Sequence, residues 1–584
     1  MKLAALPRAL FLGAALAAAP LSQALASATD DAFKKIYSDE WQWRQDQQSV
    51  DEDSPSAAIP TALPDVSLST QQAHLKHWQQ VEAALAKLDK TQLSYENQVN
   101  LAVYKTQLDS LISDVVNKVY ERPLSGDTSF WGDLTYMAKG DFHSEQDYRH
   151  YLEWLSTMPR YFAQNIDNMK AGLKRGFTLP KITLDGRDAT AASVVAAKGE
   201  DNVFYTPFKH LPATLPEAVQ KDLQAKAKAA IAQYVIPAHQ AVLDFLRKQY
   251  IPGAVTSLAA EDLPNGKAFY QSQIEKYTTL DMTPEQIHQI GLDEVARIRA
   301  RMQEVMKEVK FKGSLKDFLH FLRTDPQFYA KTPQELLNHA AWIAKEFDGV
   351  ADKYFGRLPR RRFAIVPVPA DIAPFYTGGR GGPGIYLVNT YDLPSRPFYS
   401  LPALTLHESA PGHAFQMPLA AENKELPVFR RNYYISAYGE GWALYCEALG
   451  EEMGIYKTPY EVFGMLSYQM WRAARLVVDT GIHAKGWTRK QAQDFLLDNT
   501  ALSTHEVTTE VDRYIAWPGQ ALSYYLGEMA IEKDRKRAEQ ALGAKFDIRA
   551  FHDTVLQMGS VPLKVLSDRI DKFIADGGPS PYND

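Results

Sequence analysis

Apolar residues recur along most of the chain at the three- and four-residue spacing of amphipathic helices. From Ser69 to Val119 they are interleaved with abundant Ala, Leu, Gln and Lys, which predicts a helical N-terminal third. Three helix starts are spelled out, as Thr283-Pro-Glu-Gln286, Thr332-Pro-Gln-Glu335 and Thr458-Pro-Tyr-Glu461. In each, a threonine N-cap accepts a backbone N–H bond and the Glu or Gln three residues on reaches back to it. Proline takes the first helical position, where a missing N–H costs nothing. After Thr283, the residues Ile287, Ile290, Val295, Ile298 and Met302 share one side while Glu294, Arg297 and Arg301 lie on others, so that helix is amphipathic and packed. One window departs from this pattern. Arg362 to Pro369 is a short β-like run, residues 376–384 form a Gly- and Pro-rich loop, and Ile385 to Thr390 reads as a second strand.

The prediction is a mainly α fold with a small β-sheet, and no repeat or linker divides it. At 584 residues the length alone corresponds to about four domains of roughly 150 residues, but one large helical fold suits the pattern equally. We expect residues 27–584 to form a single domain of two lobes around a cleft, an N-terminal helical lobe over about 27–280 and a second lobe over about 281–584. A composition of 45% hydrophobic and 23% charged residues excludes disorder, collagen and coiled coil. The net charge of -6, from 64 basic and 70 acidic residues, offers nothing to neutralise phosphates, so a nucleic-acid partner is not expected.

The single cysteine, Cys446, rules out an intrachain disulfide, an iron–sulfur set and a cysteine-rich zinc site. Any metal must be held by His, Asp or Glu. Lys2 and Arg8, the apolar stretch from Ala9 to Ala19, and Ala24-Leu25-Ala26 together read as a signal peptide over residues 1–26. Pro20, Ser22 and Gln23 end the apolar run too early for a retained anchor. The expectation is a periplasmic or secreted protein with no stable membrane anchor, in which Cys446 is buried and inert. Without residues 1–26, 62 basic residues stand against 70 acidic, a charge of -8. The oligomeric state is left open.

Candidate chemistry is concentrated in Leu404-Thr-Leu-His-Glu-Ser-Ala-Pro-Gly-His-Ala-Phe-Gln416, which holds His407, Glu408 and His413. In zinc peptidases, H-E-x-x-H on a helix sets two imidazoles one turn apart, with the intervening Glu beside metal-bound water as general base. Here position 411 is proline and the next histidine is six residues from the first. Six residues at about 100° each come to about 240° beyond a full turn, which would aim His413 away from His407. A metal site therefore requires the helix to break at Pro411-Gly412. Without that break the two are unrelated surface histidines beside a turn. A second acidic segment, Tyr438-Gly-Glu-Gly-Trp-Ala-Leu-Tyr-Cys-Glu447, follows, with Glu440 lying 27 residues after His413.

These two segments, with Gln416, resemble the family called domain of unknown function 885, whose members are placed in the gluzincin clan of metallopeptidases. The resemblance runs through nearly the whole mature chain. It includes Tyr277 to His288 with Gly291 and Glu294 to Ile298, and Arg475 to His483 with Trp487. It also takes in Arg513-Tyr514 with Trp517-Pro-Gly-Gln520, and Phe551-His552. It implies a largely helical zincin-like fold holding one Zn2+ per chain on His407, His413 and Glu440, with Glu408 as general base. Glu447 is the alternative third ligand, and otherwise an acid that braces the site from behind.

The resemblance further implies that the strand over residues 384–389 is an edge along which an extended peptide binds, which makes Tyr386 and Asn389 substrate-binding candidates; plain sheet packing is the other reading. Asp479 and His483, four apart on one helix face, either serve substrate and oxyanion or brace a ligand imidazole, unless His483 is a satisfied core histidine. Arg513 and Tyr514 are candidates for substrate binding, and Tyr524 for polarising a carbonyl. The dipeptide His505-Glu506 is set aside as a loop, because Thr509 stands where a second histidine would be needed. The expected activity is metal-dependent hydrolysis of a peptide. A zinc hydrolase of an ester, lactone or cell-wall amide would use the same residues, and a metal-binding protein without catalysis would keep them.

Overall fold

The computed structural model describes residues 18–47, 59–125, 128–370 and 372–582. Residues 1–17 of the expected signal peptide lie outside the described residues, and the helix Ala18–Asp46 begins within the remainder of that segment. Thr283 and Thr458 form full capping boxes at the starts of helices Pro284–Glu308 and Pro459–Lys485. Thr332 caps Pro333–Asp348 through Glu335 N–H, but Glu335 returns to Lys331 N–H, one residue early. Ile287, Val295, Ile298 and Met302 are buried, as the spacing requires. A Cβ at Gly291 would come within 2.8 Å of Leu476 and Val477. Glycine there lets Pro284–Glu308 lie directly on Pro459–Lys485, a helix buried throughout from Phe463 to His483.

The strands are β1 (Ala364–Pro367), β2 (Gly379–Gly382) and β3 (Ile385–Val388), in the order β1-β3-β2. β1 runs parallel to β3 with Ala364 opposite Ile385, and β2 runs antiparallel with Gly382 opposite Ile385. Two corrections follow. The Gly-rich segment expected to be a loop contributes β2, because main-chain pairing needs no side-chain pattern. The strand expected at the edge, β3, is central, so the free edge beside helix Leu401–Glu408 belongs to β2.

Hydrophobic residues gather in three clusters. In the first, Phe33, Trp78 and Leu108 share a core with Phe429, Trp442 and Phe551. The second joins Ile274, Ile298 and Phe318 to Leu476 and Tyr514, and the third is drawn almost wholly from residues 63–254. The helices that carry Phe33, Trp78 and Leu108 thus pack against the C-terminal half. Among the described residues no helix is long and apolar enough to cross a membrane.

Candidate metal centre

The break demanded by the histidine spacing is present. Helix Leu401–Glu408 stops at Ser409 (φ -99°, ψ -107°), the Ala410–Pro411 peptide is cis, and helix His413–Glu422 starts after Gly412 (φ -74°, ψ -134°). A Cβ on Gly412 would lie 1.8 Å from the His407 carbonyl oxygen, so only glycine permits this reversal. The two imidazoles end up with centroids 4.9 Å apart and ring planes at 87°.

Glu440 reaches them from helix Ser436–Glu452. That helix is pressed against Ser523–Leu542 where Gly441 meets Gly527; a Cβ on Gly441 would stand 2.4 Å from the Gly527 carbonyl carbon. Glu440 Oε2 lies 3.4 Å from His407 Nε2 and 3.4 Å from His413 Nε2. A tetrahedron with metal–ligand distances of about 2.0–2.1 Å has edges of about 3.3–3.4 Å, so both separations from Glu440 Oε2 match edges of a zinc site. Tyr434 donates its hydroxyl to Glu440 Oε1 at 3.0 Å, leaving Oε2 for the shared position. Behind His407, Nδ1–H donates to the fully buried Glu447 Oε1 at 2.8 Å, which fixes the tautomer and turns the Nε2 lone pair toward Glu440 and His413. Arg472 sits 3.5 Å from the same Glu447 oxygen.

The electrostatics favour a cation between these groups. Burial opposes charge on His407, but its hydrogen bonds to Glu440 and Glu447 outweigh burial and push its pKa up to about 10. Burial alone would raise the Glu440 carboxyl; the imidazoles beside it hold it well below the usual carboxylate range. Two imidazole nitrogens and one carboxylate oxygen, with a further position open, suit zinc.

Glu408 also lies close, with donor atoms of His407, Glu408 and His413 all within 4.8 Å of one another. Its role differs from that of Glu440, because its Oε2 is held by Gly381 N–H of β2 at 2.6 Å rather than shared between the two rings. Tyr524, from Ser523–Leu542, lies nearly parallel to His407 at 6.4 Å between centroids. The Arg475 guanidinium covers its ring at 4.4 Å, and Arg513 Nη2 reaches its hydroxyl at 3.5 Å.

Other sequence candidates fall elsewhere. His483 is a core residue, its Nδ1 accepting from Ala260 N–H at 3.1 Å and its Nε2 donating to the Tyr514 carbonyl at 2.9 Å. With both ring nitrogens engaged and the ring buried, it has nothing left for an oxyanion. Asp479 accepts from Tyr270 and Gly519 and braces no ligand imidazole. Tyr386 is fully buried against Thr405, and Asn389 donates to the carbonyls of Ala373, Tyr376 and Thr377, so both organise the sheet and its loop instead of facing substrate. The Tyr514 hydroxyl receives Trp471 and Arg475 inside the core. Arg513 remains beside Tyr524 and bonds Gln520. His505 and Glu506 lie on the first turn of helix Thr504–Ala516 instead of in a loop. Cys446 is buried, and burial pushes its thiol well up. Sequence reasoning missed Tyr434, six residues before Glu440 in a chain of 30 tyrosines, and Gly381, whose contribution is a backbone N–H.

The profile of a family described as "Bacterial protein of unknown function (DUF885)" matches residues 55–570. No curated protein matches the chain. Among solved structures, a protein of Colwellia psychrerythraea described as a lipoprotein is 28% identical, covers 95% of this chain and 99% of its own, and superposes with a TM-score of 0.85. A Shewanella oneidensis protein, described as a lipoprotein of unknown function, shares the fold at 18% identity and a TM-score of 0.63, over 92% of this chain and 98% of that one. The M32 carboxypeptidase of Deinococcus radiodurans R1 aligns at 13% identity over 87% of this chain and 99% of its own, but its TM-score of 0.30 carries no argument.

Proposed function

Because the chain belongs to the DUF885 family of bacterial proteins, whose function is unknown, its activity has to be read from the site itself, and we propose that it is an exported zinc-dependent peptidase. The observation that supports this most is the meeting of two imidazole nitrogens on one oxygen of Glu440, each at 3.4 Å. His407, His413 and Glu440 hold the metal; Glu447 and Tyr434 orient two of those ligands. Zinc bound there supplies Lewis acidity, polarising a carbonyl and acidifying a water.

The chain's own groups do the proton work. Gly381 N–H fixes one oxygen of Glu408, leaving the other to take a proton from the attacking water and return it to the leaving amine. Tyr524, flanked by Arg475 and Arg513, donates to the carbonyl oxygen as negative charge develops on it, a role supported by its stacking beside His407. Export is supported by the leader-like first residues and by similarity to proteins described as lipoproteins.

The test is Glu408→Gln, which keeps zinc and fold and loses hydrolysis of a fluorogenic peptide panel. Unchanged turnover refutes the assignment. Esters and peptidoglycan fragments, run beside the peptides with and without chelator, identify a non-peptide substrate if that is the true one.

A further inference from the structure

A cavity of about 180 Å³ lies beside the catalytic group and takes no part in the chemistry described above. Its walls include Gly378, Val388, Tyr399, Leu404, Tyr468 and Leu502. Its position follows from helical spacing. Ser400 and Leu404 line it, and Glu408 stands one turn further along the same face of Leu401–Glu408. The β2 edge runs alongside in step: a Cβ on Gly378 would touch Leu404 Cδ2 at 3.8 Å, and three residues on Gly381 N–H holds Glu408. Tyr468 likewise precedes Arg472, the partner of Glu447, by one turn. Leu404 in its wall thus precedes the general base by one helical turn, about 5.4 Å along the axis.

Its chemistry is that of a side-chain pocket. An apolar cavity of about 150 Å³ accepts benzene, so this one has room for an aromatic ring. Among the charged groups in its walls, Arg323 donates to the carbonyls of Leu497 and Thr500, Arg396 donates to the Ser395 carbonyl, and burial raises the Glu506 carboxyl against the pull of Arg396. Tyr399 and Tyr468 set aromatic rings in the same wall as Leu404 and Leu502, which suits a bulky apolar or aromatic side chain.

Resting on the peptidase reading above, we propose that this cavity is a specificity pocket that takes a bulky apolar or aromatic side chain of the residue next to the bond cleaved. Gly378 with Leu404 in the pocket wall and Gly381 with Glu408 are successive contacts between one extended segment and one helix, so a side chain seated at the first places its own backbone at the second.

The experiment uses the zinc-loaded full-length protein and internally quenched peptides varied at the two positions flanking the bond cleaved, with Phe, Leu, Ala, Gly or Asp. At one of these positions kcat/KM for Phe is expected to exceed that for Ala at least tenfold. Gly378→Val, whose side chain meets Leu404 Cδ2 at ordinary contact distance and fills space at that wall, brings the ratio to one or below; Gly378→Ala gives an intermediate ratio if the larger variant folds poorly. Binding to the Glu408→Gln protein, followed by calorimetry, provides a measurement independent of turnover, with the Phe peptide at least tenfold tighter than the Ala peptide and the difference lost when Gly378→Val is added. Equal rates and equal binding for Phe and Ala, or a preference for Asp, overturn the pocket. Cleavage without discrimination leaves the peptidase reading intact and removes the pocket. Discrimination in binding with no cleavage of any peptide keeps the pocket and removes the peptidase reading.

Discussion

Gly381→Ala separates positioning of the general base from metal binding. A Cβ at residue 381 would stand 1.6 Å from the Glu408 carbonyl oxygen, and real Cβ contacts do not close below 3.0 Å. Strand and helix must therefore part by at least about 1.4 Å, since the clashing atom is backbone and has no rotamer to escape into. The 2.6 Å bond from Gly381 N–H to Glu408 Oε2 cannot survive that displacement. A misplacement of about 1 Å in a catalytic constellation costs about 100-fold, so kcat is expected to fall by about that factor or more. Zinc stoichiometry should stay at the wild-type value, because His407, His413 and Glu440 are carried by helices that do not include residue 381. The assay pairs turnover of the best peptide in the panel with elemental analysis on the same preparation. A variant with full zinc and wild-type kcat refutes the role given to the β2 edge; one that loses zinc in proportion to activity shows that the strand supports the ligands instead.

Glu447→Gln removes the charged acceptor behind His407 and is expected to weaken zinc binding 10–100-fold in competition with a chelator, while the metal-loaded protein keeps its fold. Tyr434→Phe removes the hydroxyl that donates to Glu440 Oε1, so its zinc affinity should also fall, with peptide KM at saturating zinc near wild type. Asp479 gives a pH signature in stability. Burial raises its carboxyl from 3.8 to about 7, so the folded chain keeps a proton that the unfolded chain has released between those values. Its cost to stability is therefore absent near pH 4, grows up to about pH 7 and is full above that. Asp479→Asn should raise Tm at pH 8 and leave it nearly unchanged at pH 4; a lower Tm at pH 8 contradicts this account.

The parts legible in the sequence were those decided by neighbours in the chain. The capping threonines at 283 and 458 and the reversal at Pro411-Gly412 depend on a few adjacent residues, and the structure has them as expected. Thr332 shows how narrow that legibility is, since Glu335 has an equally close N–H one residue earlier. β2 was missed because four consecutive residues, three of them glycine, carry no alternation to read. Asp479 and His483 stayed between alternatives for the opposite reason. A polar pair four apart on a helix looks the same whether its face turns to a metal or, as here, to backbone groups near residues 260 and 514–519. Tyr434 and the engagement of Glu447 with His407 depend on helix crossings, above all the contact of Gly441 with Gly527, which no local pattern announces.

The way the helix Tyr95–Val116 finds its partners bears on how the molecule is made. Gln107 donates to the Phe429 carbonyl, Arg430 to Asn100, and Arg569 pairs with Glu96 across 473 positions. Closures of that span carry an entropic cost before any contact rewards them, so the first helices cannot complete their core until the last have been synthesised. Folding then couples the two ends of the chain. Cutting away the helix Leu563–Ala575 would strip Leu566, Ile570 and Phe573 from the cluster that also holds Phe33 and Trp78, so the packing of an early helix is hostage to a late one.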